Sequence, residues 1–197
     1  MIDLSPMRFT EPSGPTLLEF GGVIVPPLGA PRQRVDRAGD RWSWRFITPW
    51  VPMEAEGRQW SALLTRAKKV GARVPVIQQG LRPRAYGSPL LKTATLSGRF
   101  LPLKGLQPGI EIGAGQWLNV FDADGNGYLD QVATRVMASA AGEATVEIQN
   151  LLRAPLAVDS RVELVKPTIE GDVEGVVEWP VQLNGTTRFE FTVTEVA

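Results

Sequence analysis

The sequence of 197 residues contains neither cysteine nor histidine. Without cysteine there is no disulfide, no thiolate nucleophile and no Cys-based zinc site. Without histidine the chain lacks the usual general base and the commonest transition-metal ligand. We therefore expect no catalytic residues and no cofactor. Enzymes that use carboxylates or lysine for catalysis are not excluded by the lack of cysteine and histidine.

The chain also lacks a charge excess and long apolar runs. It carries 21 Lys/Arg and 21 Asp/Glu, whereas a nucleic-acid-binding domain is typically strongly basic. No apolar run approaches the length of a membrane-spanning helix. The first residues show no basic flank followed by an apolar stretch, as a signal peptide would. We expect a protein made in the cytoplasm, with no membrane partner and no sequence-specific nucleic-acid partner.

The charges are unevenly spread along the chain. Residues 1–80 carry eleven Lys/Arg and seven Asp/Glu, and residues 81–197 carry ten and fourteen. The two halves therefore have net charges of +4 and −4. This division is either chance or a sign that a basic part of one protomer meets an acidic part of a neighbour.

The pattern of residues 52–69 predicts a helix, and it is the one convincing helix signal in the chain. Glu54 and Glu56 lie in its first turn and Lys68 and Lys69 in its last, which complements the helix dipole. An apolar stripe at helical spacing is formed by Met53, Trp60, Leu63, Leu64 and Ala67. This face must lie on something apolar. Trp60 then either packs on a sheet, which we favour, or contacts a ligand or partner.

The strongest strand signal is residues 41–46, where Trp42, Trp44 and Phe46 alternate onto one face. A buried row facing the helix is favoured over an exposed row that stacks on sugars or bases. Residues 176–181 and 188–193 are predicted strands joined through a hairpin at Asn184-Gly185. We expect them to complete the sheet of the first domain. The predicted structural core consists of Trp42, Trp44, Phe46, Trp60, Leu63, Leu64, Trp179, Phe189 and Phe191.

Residues 90–166 contain short apolar runs separated by turn residues at regular spacing, a pattern typical of a small barrel or sandwich. The predicted fold is mainly β with one α-helix. Residues 1–80 and 168–197 form a β-sandwich domain covered by the helix. Residues 81–167 form an inserted small β-barrel. The Pro-rich stretch 1–31 is either a surface hairpin or an arm that wraps a neighbour.

One short motif resembles the first half of a calcium-binding loop. Asp122, Asp124 and Asn126 alternate with other residues and a glycine follows. The twelfth position is Ala133 rather than a bidentate glutamate, and the flanks read as strands. We therefore favour a β-turn and keep these three residues as a weak metal candidate. Asp122, Asp124 and Asp130 are the carboxylates on which a glycosidase-like hydrolase would depend.

The order of these elements resembles a known family. The pattern carrying the resemblance runs through 42–46, the helix, and then the barrel segments 109–118, 127–132, 142–148, 151–153 and 162–167. It is similar to distal tail proteins and related tail-tip minor proteins of long-tailed bacteriophages and gene transfer agents. Asn150 stands where the family pattern would have a proline before Leu152-Arg153.

The resemblance implies a structural virion protein at the distal end of a phage tail, assembled in the cytoplasm of the bacterial host. Such proteins form a ring, commonly sixfold, that adapts the tail tube to the tip hub. The resemblance implies that residues 1–80 with 168–197 are the ring-forming domain. Their partners are further copies of themselves, the tail tube protein and the hub protein, and DNA only passes through the lumen. The alternative is a host-glycan-binding module of a tail tip, which requires Trp117 or Tyr128 to be solvent-accessible.

Overall fold

The computed structural model describes residues 1–26, 29–78, 80–81, 84–175 and 178–196. Within these ranges the chain is mainly β with one helical segment, which confirms the predicted fold class. No helix among these residues is both long and apolar enough to cross a bilayer. In chain order the strands and the α-helix are β1 Ile2–Asp3, β2 Thr10–Leu18, β3 Gly22–Ile24, β4 Gln33–Val35, β5 Arg41–Ile47, β6 Val51–Pro52, α1 Arg58–Val70, β7 Ala72–Pro75, β8 Gly87–Leu91, β9 Phe100–Leu106, β10 Glu111–Ile112, β11 Trp117–Phe121, β12 Gly127–Gln131, β13 Val136–Met137, β14 Ala144–Glu147, β15 Val162–Glu163, β16 Thr168–Glu174, β17 Thr186–Thr187 and β18 Glu190–Glu195.

The chain divides into two compact units. The first comprises Met1–Thr16, Trp42–Ile77 and Thr168–Val196, and the second comprises Leu17–Arg41 and Gln78–Pro167. Residues 17–41 thus belong to the second unit, although the sequence predicted them in the first. One contact that ties this segment to the barrel is the ion pair between Asp36 and Arg99, at 2.7 Å.

The first unit is built on a six-stranded sheet in the order β1-β7-β16-β18-β5-β2. The β1–β7 pair is parallel, and the pairs β7–β16, β16–β18 and β18–β5 are antiparallel. The C-terminal strand β18 therefore lies directly beside β5, as the sequence predicted. A separate ribbon pairs β6 with β17.

The α-helix begins at Arg58, later than the predicted start at Pro52. Pro52 ends β6, a π-helical turn Met53–Gly57 follows, and α1 then runs to Val70. Gly71, with φ of +80°, ends the helix because a positive φ suits glycine. Helix α1 contacts β16 and β1, so the stripe identified from sequence lies against the sheet.

Most of the predicted core is buried. Seven of the nine predicted residues are buried, namely Trp42, Trp44, Phe46, Trp60, Leu64, Phe189 and Phe191. Leu63 and Trp179 are only half-buried, so their assignment to the core was wrong. Leu63 lies at the margin of the helix stripe, whereas Leu64 occupies its centre. Trp179 belongs to no strand, although its ring packs 5.5 Å from that of Phe189.

One prediction at the C-terminal end was wrong. The acidic residues Glu170, Asp172 and Glu174 lie in β16, which pairs with both β7 and β18. The strand predicted at 176–181 does not form in its described part, where Val181 makes a single bridge to Thr187. Residues 176 and 177 lie outside the described residues. The Asn184-Gly185 turn therefore joins short segments rather than two long strands.

The second unit contains a small barrel. Two three-stranded sheets, β12-β11-β15 and β14-β9-β8, are joined at both edges by single bridges, Leu90 to Arg161 and Val132 to Ile148. Its core is aliphatic and includes Leu91, Leu101, Leu103, Ile112, Leu118, Val120, Val132, Val146, Ile148, Leu156, Val162 and Leu164. These side chains come from alternate positions of the strands, because one face of each strand points inward.

Candidate functional sites

The turn between β11 and β12 is organised by the carboxylate of Asp122. Its Oδ1 accepts hydrogen bonds from the backbone N–H groups of Asp124 and Asn126, each at 2.9 Å. Its Oδ2 accepts the Asn126 side-chain amide and the Tyr128 hydroxyl, also at 2.9 Å. Phe121 pairs with Gly127 across the hairpin. The β-turn that we favoured at this motif is therefore confirmed.

This geometry does not assemble a metal site from the three candidate residues. Both oxygens of Asp122 are occupied by donors of its own turn, so a cation would have to displace them. Among the described residues, no group of three or more acidic side chains converges in a way that could hold a metal ion. Asp130 is buried and accepts hydrogen bonds from Asn150.

The same contacts set the charge state of the turn. Partial burial raises the pKa of Asp122, but the hydrogen bonds from Asn126, Tyr128 and Asp124 outweigh it and hold the pKa below its usual value. Burial, followed by the hydrogen bond to Asp122, raises the pKa of Tyr128. At neutral pH, Asp122 is thus an ionised acceptor and Tyr128 a neutral donor.

Asp122 should give the fold a measurable pH dependence. Because its pKa is lower in the folded state than the unfolded value of about 3.9, its stabilising effect is full above that value and disappears as pH falls through the folded pKa. We expect Asp122→Ala to lower the free energy of unfolding by about 1–2 kcal/mol at pH 7, since several hydrogen bonds to a charged acceptor are lost. Urea unfolding at a series of pH values should show this difference shrinking below about pH 4.

Asp124→Ala is the matched control for that experiment. The described hydrogen bonds of Asp124 use its backbone N–H and not its carboxylate. The control should therefore unfold like the parent chain across the whole pH range. A difference between Asp122→Ala and the parent chain that stays constant down to pH 2 would contradict the role given to the ionised carboxylate.

The aromatic residues required by the glycan alternative are poorly presented. Trp117 is only 7% exposed. Tyr128 is half-buried, its hydroxyl is bonded to Asp122, and the Arg153 guanidinium lies 5.1 Å from its ring centre. A sugar-binding platform needs an open ring face. Only part of Tyr128 meets that requirement.

A surface cleft of about 300 Å³ lies where β8 meets β15 in the barrel. It is lined by Tyr86, Gly87, Ser88, Pro89 and Leu90 on one side and by residues 161–165 on the other. Its charged side chains have other contacts: Arg161 lies over the Phe121 ring at 4.1 Å, and Glu163 accepts the N–H groups of Val165 and Lys166. The cleft therefore lies where the two sheets of the barrel meet, and its charged side chains form no acid–base pair.

The most unusual surface is the ribbon formed by β3 and β4. The two strands pair only with each other, with Gly22 opposite Val35 and Ile24 opposite Gln33. All six residues of the ribbon are exposed, and so is Val25. Arg34 forms ion pairs with Glu19 at 2.9 Å and Asp36 at 3.2 Å. The ribbon thus leaves Val23, Ile24, Val25 and Val35 without a covering layer of described residues.

The charge division seen in the sequence does not follow the two units. The first unit carries eight Lys/Arg and ten Asp/Glu, and the second carries thirteen and eleven. The net charges of the two units are therefore −2 and +2. They are smaller than the +4 and −4 of the two halves of the sequence, and they have the opposite signs. The main reason is that residues 168–196, which carry one arginine and six acidic residues, belong to the first unit.

The chain matches no model of a known protein family, and no curated protein matches it significantly.

Proposed function

We propose that this chain is a structural virion protein at the distal end of a phage tail, where it forms a ring that adapts the tail tube to the tip hub. The proposal rests on the resemblance described from the sequence and on one structural observation, the exposed apolar ribbon β3–β4. The protein is made and assembled in the cytoplasm of the bacterial host.

The ribbon supports assembly because of what it leaves uncovered. An isolated two-stranded hairpin is at best marginally stable in water. Natural proteins usually cover or charge exposed strand edges, because open edges pair with other chains. Here four aliphatic side chains stay in solvent on such a ribbon. An element of this kind gains stability when a further copy or a ring partner covers it.

The expected work of the ring is mechanical rather than catalytic. Each protomer contacts the next through unlike surfaces, because a closed ring larger than two copies needs a heterologous interface. We propose six copies, with the tail tube protein on one side and the hub protein on the other. DNA passes through the lumen without sequence-specific recognition, in keeping with the zero net charge.

Polar substitutions on the ribbon test this proposal. We expect the double variant Val23→Ser/Ile24→Ser to raise the dissociation constant for self-assembly, or for co-assembly with the tube protein, by roughly thirtyfold. This corresponds to a loss of about 2 kcal/mol of binding free energy at each interface between neighbouring subunits. The melting temperature of the protomer should change little, because exposed residues contribute little to its stability. Analytical ultracentrifugation over a concentration series measures both the size and the affinity of the assembly.

Val158→Ser is the matched control, since Val158 is an exposed valine of the barrel unit outside the ribbon. It should assemble like the parent chain. A parent chain that stays monomeric at all concentrations, both alone and with the tube protein, would overturn the proposed function. Equal assembly of the ribbon variant and the control would remove the ribbon from the interface.

The glycan-binding alternative has less support. Trp117 is buried, and the hydroxyl of Tyr128 is held by the Asp122 turn. The carboxylate-hydrolase alternative also has less support, because the Asp122 oxygens serve the hairpin and Asp130 is buried against Asn150.

A further inference from the structure

The chain contains two Asn-Gly sequences, Asn126-Gly127 and Asn184-Gly185, and the structure gives them opposite surroundings. Asparagine followed by glycine is the pair most prone to cyclise, because glycine leaves its own backbone nitrogen unhindered. The reaction is spontaneous and depends on how the turn holds the reacting groups. The difference between the two turns therefore has a chemical consequence.

In the 182–185 turn, the asparagine carbonyl is held by two donors. Asn184 Oδ1 accepts the Thr186 backbone N–H at 3.1 Å and the Thr186 hydroxyl at 2.7 Å. Negative charge would develop on this oxygen if a nucleophile attacked the adjoining carbon. Two donors aimed at such an oxygen stabilise that charge, as the donors of an oxyanion hole do.

The neighbouring nucleophile is accessible. The Gly185 N–H donates to the Gln182 carbonyl at 2.9 Å, a hydrogen bond that opens when the nitrogen loses its proton. Asn184 and Gly185 are both exposed, so water can reach the site. The electrophile of Asn184, the nitrogen of Gly185 and the two donors of Thr186 thus lie within three consecutive residues.

The Asn126 turn has the opposite arrangement. There the side-chain nitrogen, and not the oxygen, is engaged: Asn126 Nδ2 donates to Asp122 Oδ2 at 2.9 Å. No described donor reaches Asn126 Oδ1, and the ionised Asp122 would repel the negative charge that cyclisation creates. Gly127 is also buried. This site therefore serves as an internal control.

We propose that Asn184 is a self-modifying site that cyclises onto Gly185 with assistance from the Thr186 hydroxyl. The Gly185 nitrogen gives up its proton and bonds to Asn184 Cγ, and the side-chain nitrogen leaves as ammonia carrying that proton. A five-membered succinimide results. Water then opens either ring carbonyl, so that the product is aspartate or isoaspartate. The net reaction consumes one water and releases one ammonia, with no redox change.

The product alters a contact in the first unit. The Gly185 carbonyl accepts the Met53 N–H at 2.8 Å where the helical segment begins, and Thr186 pairs with Pro52. Isoaspartate adds one backbone atom within this turn, so both contacts must shift. The reaction also adds a negative charge beside Leu183, the most exposed apolar side chain among the described residues. The turn is therefore a surface that changes irreversibly with the age of the protein.

The test follows both sites in the same molecule. The full chain is incubated at neutral pH, digested, and each Asn-Gly peptide is monitored by mass spectrometry for conversion of amide to acid. The ratio of the two rates is measured in the folded protein and again in denaturing urea. We expect Asn184 to react at least tenfold faster than Asn126 when folded, and the ratio to approach one in urea. A folded ratio of one or below would overturn the proposal.

Variants of Thr186 test the assisting hydroxyl. Thr186→Val should slow the Asn184 reaction about tenfold, a smaller effect than at a buried oxyanion hole because this turn is exposed to water. Thr186→Ser keeps the hydroxyl and should restore the rate. The urea midpoint of each variant shows whether the fold around position 186 is intact, and the Asn126 rate is the reference reaction in the second unit. If Thr186→Val and Thr186→Ser react at the same rate with Asn126 unchanged, the hydroxyl does not assist and the proposal fails.

Discussion

Replacing Trp60 by alanine should lower the free energy of unfolding by about 3–5 kcal/mol. The side chain is 3% exposed, and its ring lies 6.3 Å from that of Phe189. Removing it leaves a cavity between α1 and the C-terminal part of the chain, and the transfer and cavity costs add. Chemical denaturation followed by far-UV circular dichroism measures the effect without relying on tryptophan fluorescence.

Gln59→Ala provides the control for Trp60→Ala, because it changes the preceding, exposed position of the same helix. Its effect should stay within about 0.5 kcal/mol. A midpoint for Trp60→Ala equal to that of the control would show that Trp60 does not join the helix to the sheet.

The parts of this fold that sequence could predict are those with a clear side-chain period. Strand β5 alternates its aromatic residues, and the helix repeats its apolar residues every three or four positions. Both patterns encode a buried face. Phe46 and Phe191 stack with centroids 5.6 Å apart, and Phe9 lies 4.8 Å from Phe46. The return of the C-terminal strand to the first unit followed from the same aromatic alternation.

Strand β16 escaped prediction because its pattern is ambiguous. It carries Glu170, Asp172 and Glu174 on one face, and glycine at position 171. Acidic residues and glycine are depleted in strands, so local propensity opposes the structure. The strand forms because its partners cover it from both sides: β7 on one edge and β18 on the other. One of these partners, β7, lies about a hundred residues before β16 in the sequence, so a local pattern cannot reveal the pairing.

The candidate sites show the same limit. The Asp122 turn was predictable, because the Asp-Gly and Asn-Gly pairs signal a hairpin within a few residues. The proposed difference between the two Asn-Gly pairs was not, because it rests on whether the side-chain oxygen or nitrogen is hydrogen-bonded. The placement of residues 17–41 was also hidden, since contacts such as the Asp36–Arg99 ion pair span 63 residues.

The position of Glu170 leads to the second large expected effect. Its side chain is 4% exposed, and its Oε1 lies 2.7 Å from Arg73 Nε, directly across the β16–β7 pair. Arg73→Ala should lower the free energy of unfolding by about 3 kcal/mol, because it leaves a buried carboxylate without its cation. We take the lower end of the range for buried pairs since the Arg73 side chain is 47% exposed and partly screened by water.

Two further variants distinguish the cost of leaving Glu170 buried without a cation from the net contribution of the ion pair to the free energy of unfolding. Arg45→Ala breaks the Arg45–Glu190 pair, whose side chains are 54% and 50% exposed, and should cost less than about 1 kcal/mol. Arg73→Met/Glu170→Leu removes both buried charges and should recover most of the stability lost in Arg73→Ala, because apolar replacements of a buried pair are often neutral. Urea unfolding of all three decides the matter. If the double variant were as unstable as Arg73→Ala, the cost would come from lost packing rather than from an uncompensated charge, and the ion pair would not explain how an acidic segment becomes a central strand.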